Sequence, residues 1–497
     1  MKDFILLLPE IFLGLTLAGI IAGEIGYYGE KVRLITATAL AGLAGAFVQS
    51  WAIYRHGDAL VWGQDLSVDA LSLFFKMFFI LLAGLTIVAS IFTKEVDSNK
   101  RAEFCALVVA STLAMGLAAC SADMLLGFLV LQFMNVVSYC LAAYGKRSSL
   151  STEAAMKHLV LGSASSALFL FGLALLFAHT RTLNIYEMHH VLQSNPIPVQ
   201  TGLVIFILMF SAFCYQFGAF PMHLASPDVL EGSPTVVSSF LSLGSRVAGF
   251  AMALRFFVVV FAKPVLEGGA TDPSSAQQWT AIGGFQWQQI VALASGATML
   301  VGALLALRQS GAKRLISYLV MAESGFLLMG LLVLDQSGVA ALLYSLLIQL
   351  FALVGAFSVV GFLLDEIESD RLSDLHAALS RSIPECISLI LFLVCLVGLP
   401  PFPGFIGKFV LIGSVIHRGW YLLAAAGVIT MAISTAAVAR LAFSLVRNFK
   451  DAGQFQWPRW EPRRVYLMAL LLPLLLIGFF AEPLLAWTAH SARFILW

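Results

Sequence analysis

The stretch Gly398-Leu399-Pro400-Pro401-Phe402-Pro403-Gly404-Phe405-Ile406-Gly407-Lys408 decides how this chain folds. It lies inside an apolar segment that runs from about Cys386 to Ser414. Proline lacks a backbone N–H group and its ring clashes with the preceding turn, so these three prolines predict a broken helix. At membrane depth a break is tolerated only where the freed backbone is buried in protein or lines a wet cavity. One turn past the break comes Lys408, and a lysine inside a membrane segment is by default functional because it is costly to bury.

The composition places the whole chain in a membrane. Of its 497 residues 60% are hydrophobic and only 11% are charged, whereas a soluble domain is about 25% charged. The mean hydropathy is +0.91. A net charge of +1 gives no reason to expect nucleic acid as a partner, and the six cysteines form no CxxC pair that would indicate a zinc or iron–sulfur site. We therefore expect an all-α polytopic protein with the lipid bilayer around it and no metal or cofactor on this chain.

Apolar segments of roughly 17 to 28 residues, long enough to cross a bilayer, predict about 14 transmembrane helices. They fall near residues 4–22, 32–54, 69–92, 104–120, 123–144, 155–179, 201–223, 235–262, 286–307, 314–334, 338–364, 383–414, 419–446 and 464–487. The boundary between the fourth and fifth rests on the short polar break at Ser121-Ala122-Asp123. The predicted organisation is helices 1–3 in residues 1–103, two five-helix units in 104–262 and 286–447, and helix 14 in 464–497.

Lysine and arginine in the loops predict the orientation, because they accumulate on the cytoplasmic side. Seventeen of the 29 lie in loops after odd-numbered predicted helices and six lie on the other side, termini included. This places both termini on the outer side of a bacterial-type inner membrane.

The six remaining basic residues and several acids fall inside predicted spans. Near the helix ends, Lys76 and Arg255 are expected to reach the membrane surface with their charged groups. Asp69, Asp123 and Glu385 stand at or near helix starts, where a carboxylate suits the helix dipole and the cap. Four other residues are deeper or stand beside breaks and are predicted to be functional: Lys157, Arg246, Glu323 and Lys408.

A second broken segment is predicted in helix 7. Gln216 is followed there by Pro221, His223 and the stretch Ser226-Pro227-Asp228-Val229-Leu230-Glu231-Gly232-Ser233-Pro234. Helices 7 and 12 are each the fourth helix of a five-helix unit. Proline- and glycine-interrupted segments at matching positions of two halves predict inverted repeats with an ion site at their interface.

These motifs carry a family resemblance. The stretch 226–234, followed by Ser245-Arg246-Val247-Ala248-Gly249-Phe250, resembles the TPDVYEGAP…SKAAGFA segment of subunit N of the proton-pumping NADH:quinone oxidoreductase, respiratory complex I. Similar matches are Lys313-Arg314-Leu315-Ile316-Ser317-Tyr318-Leu319 with KRxLAYSS and residues 398–409 with GxPPxxGFxGKF. The central region also resembles cation/proton antiporter and membrane hydrogenase subunits.

The resemblance implies a fold of fourteen helices with antiporter-like repeats and a role in proton translocation driven by quinone reduction elsewhere. NADH, FMN, iron–sulfur clusters and quinone would then bind to partner subunits, and this chain would join other membrane-arm subunits. Within this family Lys408, Glu323, Arg246 and Lys157 are the candidate residues of a proton path.

The chain departs from the family at two of its charged positions. Gln132 stands where helix 5 usually has a glutamate, and Gln216 stands where helix 7 usually has a lysine. Glutamine carries neither proton nor charge, so losing both together is electrostatically neutral. The two glutamines are therefore expected to face each other as a hydrogen-bonded replacement for an ion pair. Arg246 replaces the usual lysine of helix 8, and Glu323 replaces a histidine of helix 10.

Three functions remain open on this basis. The first is a proton-translocating N-type subunit, the second an assembly or scaffold subunit with a degenerate first half-channel, and the third a subunit of a cation/proton antiporter or membrane hydrogenase. Gln132, Gln216 and Arg246 favour the scaffold, whereas Lys408 and Glu323 favour translocation because a scaffold has no need of buried ions.

Overall fold

The computed structural model describes residues 2–26, 31–55, 59–97, 100–145, 148–265, 278–281, 286–367, 369–372, 374, 382–446 and 461–492. Within these ranges the chain forms nineteen helices and two short antiparallel hairpins. The helices are α1 (Lys2–Leu6), α2 (Leu8–Gly26), α3 (Lys31–Tyr54), α4 (Ala70–Phe92), α5 (Arg101–Cys120), α6 (Met124–Ala142), α7 (Ser149–Thr180), α8 (Ile185–Ser194), α9 (Val199–Phe217), α10 (Ala225–Gly232), α11 (Thr235–Phe261), α12 (Trp287–Arg308), α13 (Ala312–Leu332), α14 (Gln336–Ile367), α15 (Ile383–Val397), α16 (Pro403–His417), α17 (Tyr421–Val446), α18 (Pro462–Phe479) and α19 (Ala481–Ser491). The strands are β1 (Ala59–Val61) paired with β2 (Leu66–Val68), and β3 (Ala262–Val265) paired with β4 (Gln278–Ala281).

Thirteen helices in the described part of the chain are long and apolar enough to span a membrane. The predicted twelfth helix is instead divided into two shorter apolar helices, α15 and α16. Together they account for the fourteen predicted segments, and the all-α polytopic fold is confirmed. The predicted boundary after helix 4 is also present, because α5 ends at Cys120 and Asp123 caps α6 by accepting from the Leu126 N–H at 2.8 Å.

Three long helices form the centre of the molecule. In α11, α13 and α14, 94% of the membrane-spanning stretch is buried inside the protein. In α2, α3 and α18, 28% or less of the corresponding stretch is buried. The outer helices expose large apolar side chains, for example Leu129, Phe133 and Val136 on α6. Such exposed apolar surface suits contact with lipid. The centre is where a polar side chain is shielded from both lipid and water.

The two predicted five-helix units span α5–α11 and α12–α17, and their inverted relation stays a prediction. They share a local feature at the breaks. Gly218 at the end of α9 and Gly398 at the end of α15 both have left-handed backbone, with φ of +64° and +81°. In each case a proline, Pro221 or Pro401, follows three residues later, after a cis peptide bond.

Some predictions fall on parts of the chain outside the described residues. Most of residues 263–285, between the two predicted five-helix units, lie there. So do several of the basic residues that were used to predict orientation: Lys146, Arg147, Arg381, Arg447, Lys450, Arg459 and Arg493.

Candidate functional site

The break between α15 and α16 is built by glycine and proline. Gly398 ends α15 in the left-handed conformation, which favours glycine, and Pro403 starts α16 at a position where its missing N–H group costs nothing. The two half-helices approach closely at Gly404. A Cβ atom on Gly404 would lie 1.8 Å from the carbonyl oxygen of Cys395, so only glycine fits there. The break leaves carbonyl groups at the end of α15 without helical partners.

Lys408 on α16 satisfies those carbonyls and also forms an ion pair. Its Nζ donates to the carbonyl oxygens of Leu396 at 3.0 Å and Val397 at 2.8 Å. The same atom donates to Oε1 of Glu323 on α13 at 2.5 Å and lies 4.6 Å from the ring centre of Phe326. Lys408 therefore acts both as a cap for the α15 carbonyls and as an ion-pair partner.

Gln349 on α14 extends this pair towards α11. Its Nε2 donates to Oε2 of Glu323 at 3.2 Å, and its Oε1 accepts from Nη2 of Arg246 at 2.6 Å. Arginine can only donate and a carboxylate can only accept, so the amide between them is held in one orientation. Arg246 also donates through Nη1 to the carbonyl oxygen of Val320 at 3.0 Å.

Lys408, Glu323, Gln349 and Arg246 thus form one continuous polar chain, which we call the central network. Each of these side chains is only 3% exposed. The structure brings together three of the residues predicted from the sequence. Gln349 was missed because a lone glutamine in an apolar helix has no sequence pattern that distinguishes it from other core residues.

The first half is arranged differently from the prediction. Gln132 and Gln216 border the same small cavity, but no hydrogen bond joins them among the described residues. Instead, Nε2 of Gln216 donates to Oδ1 of Asn135 at 3.1 Å. The expectation of a Gln132–Gln216 pair is therefore wrong. Asn135 lies one turn beyond Gln132, and like Glu323 in α13 it is the twelfth residue of its helix.

A second polar group in the first half, which the sequence did not single out, surrounds His158 on α7. Its ring nitrogens lie 2.6 Å from the hydroxyl of Tyr215 and 3.0 Å from that of Ser138. The ring of Tyr139 meets the imidazole edge-on at a centroid distance of 4.8 Å. These side chains come from three helices, α6, α7 and α9, and no spacing in the sequence links them, so the sequence does not distinguish them from ordinary core residues.

Lys157 does not join the central network. Its side chain is 41% exposed and pairs with Asp228 on α10 at 2.6 Å and with Glu153 at 2.9 Å. Arg314 also contacts α10, at 3.2 Å from Glu231. Burial raises the pKa of Glu231, and the neighbouring Arg314 opposes that rise. Lys157 thus lies beside α10 and is partly exposed. Its role in a proton path stays a prediction.

The expectation that Lys76 and Arg255 reach the membrane surface is wrong. Both side chains are 2% exposed. Lys76 lies 2.5 Å from Oε1 of Glu10, and Arg255 lies 2.8 Å from Oδ1 of Asp69. Partners from other helices make deep burial of these charges possible, because a buried charge is tolerated when it is paired.

Fold and site together define a polytopic helical membrane protein with a buried lysine–carboxylate pair at a broken helix. The family described as NADH:quinone oxidoreductase/Mrp antiporter, TM, has a model that matches residues 121–268 and 278–434. Over 498 residues the chain is 31% identical to NADH-quinone oxidoreductase subunit N 2 of Chloroherpeton thalassium, covering 98% of this chain and 94% of that protein. The chain belongs to this family of antiporter-like membrane subunits, and the resemblance to subunit N is confirmed.

Solved structures agree with this assignment. A chain of respiratory complex I from Thermus thermophilus aligns with a TM-score of 0.77 and 25% identity, covering 97% of this chain and 99% of that chain. A chain of the Mrp complex from Dietzia sp. aligns with a TM-score of 0.79 at 17% identity, covering 97% and 96%. The second likeness shows a common fold and does not distinguish between the functions of the two assemblies.

Proposed function

We propose that this chain is a proton-translocating N-type subunit in the membrane arm of a complex I-like NADH:quinone oxidoreductase. The observation that carries the proposal is the buried ion pair of Lys408 and Glu323 at the break between α15 and α16. Quinone reduction in other subunits would drive translocation, and those subunits would bind NADH, FMN, the iron–sulfur clusters and quinone. The basic loops support a bacterial-type inner membrane with both termini on the outer side.

The contacts of Lys408 support a relay function. While Glu323 lies 2.5 Å away, its carboxylate stabilises the protonated ammonium. When the carboxylate turns away, the ammonium keeps neutral partners in a buried site, the two carbonyl oxygens and the Phe326 ring. Burial without a counter-charge favours release of the proton. Return of the carboxylate favours uptake of a new proton. A cycle of this kind moves one proton each time the pair separates and re-forms.

Gln349 links the ion pair of Lys408 and Glu323 to the neighbouring helix α11. Its amide bonds Glu323 on one side and Arg246 on the other, so a shift of α11 relative to α14 changes how firmly the carboxylate is held. Arginine keeps its charge under ordinary conditions, and Arg246 therefore acts here as a fixed positive charge and not as a proton carrier.

Two other functions have specific support. Gln132 and Gln216 favour a scaffold whose first half-channel no longer carries protons. The family description names both NADH:quinone oxidoreductase and Mrp antiporter, which keeps a cation/proton antiporter or membrane hydrogenase subunit as a second alternative. Neighbouring genes for NADH- or quinone-binding subunits would favour the complex I assignment. Neighbouring antiporter or hydrogenase genes would favour a subunit of one of those assemblies.

The decisive experiment measures protons, and separately sodium ions, moved per electron pair by the intact purified complex carrying Lys408→Met. We expect assembly and electron transfer with fewer ions moved per electron pair, and a milder loss for Glu323→Gln. Lys76→Met is the matched control, because it also removes a buried lysine paired at 2.5 Å, but one that stands inside the continuous helix α4. We expect it to leave the ion ratio unchanged.

Full pumping by Lys408→Met with intact electron transfer would refute the relay and leave the scaffold function. Failure of the Lys408→Met complex to assemble, with Lys76→Met assembling normally, would show that the lysine serves as a cap for the α15 carbonyls.

A further inference from the structure

The imidazole of His158 is held by two hydroxyl groups that each have a second acceptor. The Tyr215 hydroxyl lies 2.6 Å from Nδ1 and also 2.8 Å from the carbonyl oxygen of His158 itself. The Ser138 hydroxyl lies 3.0 Å from Nε2 and also 2.7 Å from the carbonyl oxygen of Asn135. Each hydroxyl can therefore donate either to the ring or to a backbone carbonyl.

This geometry accommodates the ring in both of its charge states. In the neutral imidazole one nitrogen donates and the other accepts, so one hydroxyl donates to the ring and the other donates to its carbonyl. In the imidazolium both nitrogens donate, and both hydroxyls then donate to their carbonyls. Rotation of a single hydroxyl is enough to pass from one state to the other, and no hydrogen bond to the ring is lost.

A small cavity connects this histidine to the central network. Its volume is about 40 Å³, and its lining includes His158, Gln216 and Arg246. A cavity of more than roughly 15 Å³ with polar walls is large enough for a water molecule. The Nε of Arg246 is buried and has no hydrogen-bond partner among the described residues. Water in this cavity would have polar partners at both of its ends.

Among the described residues that line this cavity, His158, Tyr215 and Arg246 are the side chains with an ionisable group. Arginine keeps its charge, and the neighbouring Gln216 cannot bind a proton. The neutral imidazole has a basic ring nitrogen that can bind a proton, which amide and hydroxyl side chains lack. His158 stands in a membrane-spanning helix, and a titratable residue there is by default functional.

We propose that His158 is the proton-binding residue of the first five-helix unit, exchanging protons through the adjacent cavity with the central network. This inference rests on the proposed translocation function. A proton from cavity water binds the neutral ring at Nδ1, by way of the Tyr215 hydroxyl that borders the cavity, and gives the imidazolium; loss of a proton from Nδ1 by the same route restores the neutral ring in its original tautomer.

The test is His158→Gln in the intact complex, measured as protons moved per electron pair. Glutamine keeps a donor and an acceptor near the two hydroxyls but cannot bind a proton. We expect the ratio to fall to the value of Lys408→Met, and the double variant to fall no further, because the two residues serve one path. His179→Gln is the control on the same helix, because among the described residues that ring has a hydrogen bond only with the Asn195 carbonyl, at 3.0 Å; this variant should keep the parent ratio.

The outcomes separate this inference from the proposed function. If Lys408→Met moves as many protons per electron pair as the parent complex, translocation by this chain is refuted. If Lys408→Met moves fewer and His158→Gln moves as many as the parent, only the role of His158 is overturned. Additive losses in the double variant would also overturn it, because they would show two independent paths. If His158→Gln fails to assemble, Tyr215→Phe keeps the ring and removes one hydroxyl; a parent ratio in that variant overturns the proposal, and a lowered ratio supports it.

Discussion

The pairing of Lys408 with Glu323 predicts strong energetic coupling between the two side chains. The perturbation is a double-mutant cycle made of Lys408→Met, Glu323→Gln and the combination of both. Among the described residues, the carboxylate keeps only the 3.2 Å bond from Gln349 in Lys408→Met. In Glu323→Gln the ammonium keeps neutral partners: the two carbonyls, the Phe326 ring and the new amide oxygen. Each single variant thus leaves one buried charge without its counter-charge.

The magnitude follows from the burial of the pair. Removing one partner of a buried ion pair costs about 3–5 kcal/mol, because it leaves an uncompensated charge. The double variant has no such charge and keeps mainly the cost of the unbonded carbonyls of Leu396 and Val397, about 1–3 kcal/mol each. We therefore expect the two single costs to exceed the double cost by about 3 kcal/mol, which is more than a hundredfold in an equilibrium constant.

The assay is denaturant-induced loss of the subunit from the purified complex, followed for the parent, both single variants and the double variant. Lys408→Met combined with Lys76→Met is the control cycle, since Lys76 belongs to a separate ion pair with Glu10. Its two costs should add within about 0.5 kcal/mol. If the costs of Lys408→Met and Glu323→Gln add equally well, the ion pair is not the interaction that holds this site.

Two further predictions concern Gln349, which links Glu323 to Arg246, and Gly404 at the break between α15 and α16. Gln349→Leu should lower the ion ratio and destabilise the subunit by about 1–3 kcal/mol, because it leaves a buried N–H of Arg246 unbonded; a parent ratio would show that the link is not used. Gly404→Ala should prevent assembly, because its Cβ would lie 1.8 Å from a carbonyl oxygen of α15. Gly413→Ala on the same helix has open space within 4 Å and should assemble normally, and equal behaviour of the two variants would contradict the close approach at the break.

The success and failure of the sequence-based predictions have physical reasons. Helix positions were predictable because a span must be long and apolar, and breaks were predictable because proline and left-handed glycine exclude a continuous helix. The burial of Lys76 and Arg255 was not predictable. Distance along a helix from its end indicates where a charge can reach the surface, but the partners that hold these two side chains inside, Glu10 and Asp69, come from distant segments.

Tertiary packing also decides which residue of α6, Gln132 or Asn135, bonds to Gln216. A family pattern places the substituted position at Gln132, yet the rotation of α6 against α9 turns Asn135 towards Gln216. One turn of helix separates these two residues in sequence, and helix rotation is a property of packing that a single sequence does not record.

By itself the sequence determined that this protein spans a membrane many times, that helices 7 and 12 are interrupted, and that Lys408 stands beside a break, because all of these follow from local composition and backbone stereochemistry. Only the tertiary structure decided that Lys408, Glu323, Gln349 and Arg246 form one chain and that His158 adjoins it. Hydrogen bonds and ion pairs between helices depend on atoms brought within about 3 Å from positions far apart in the chain, and it is the packing of α11, α13, α14 and α16 that brings them there.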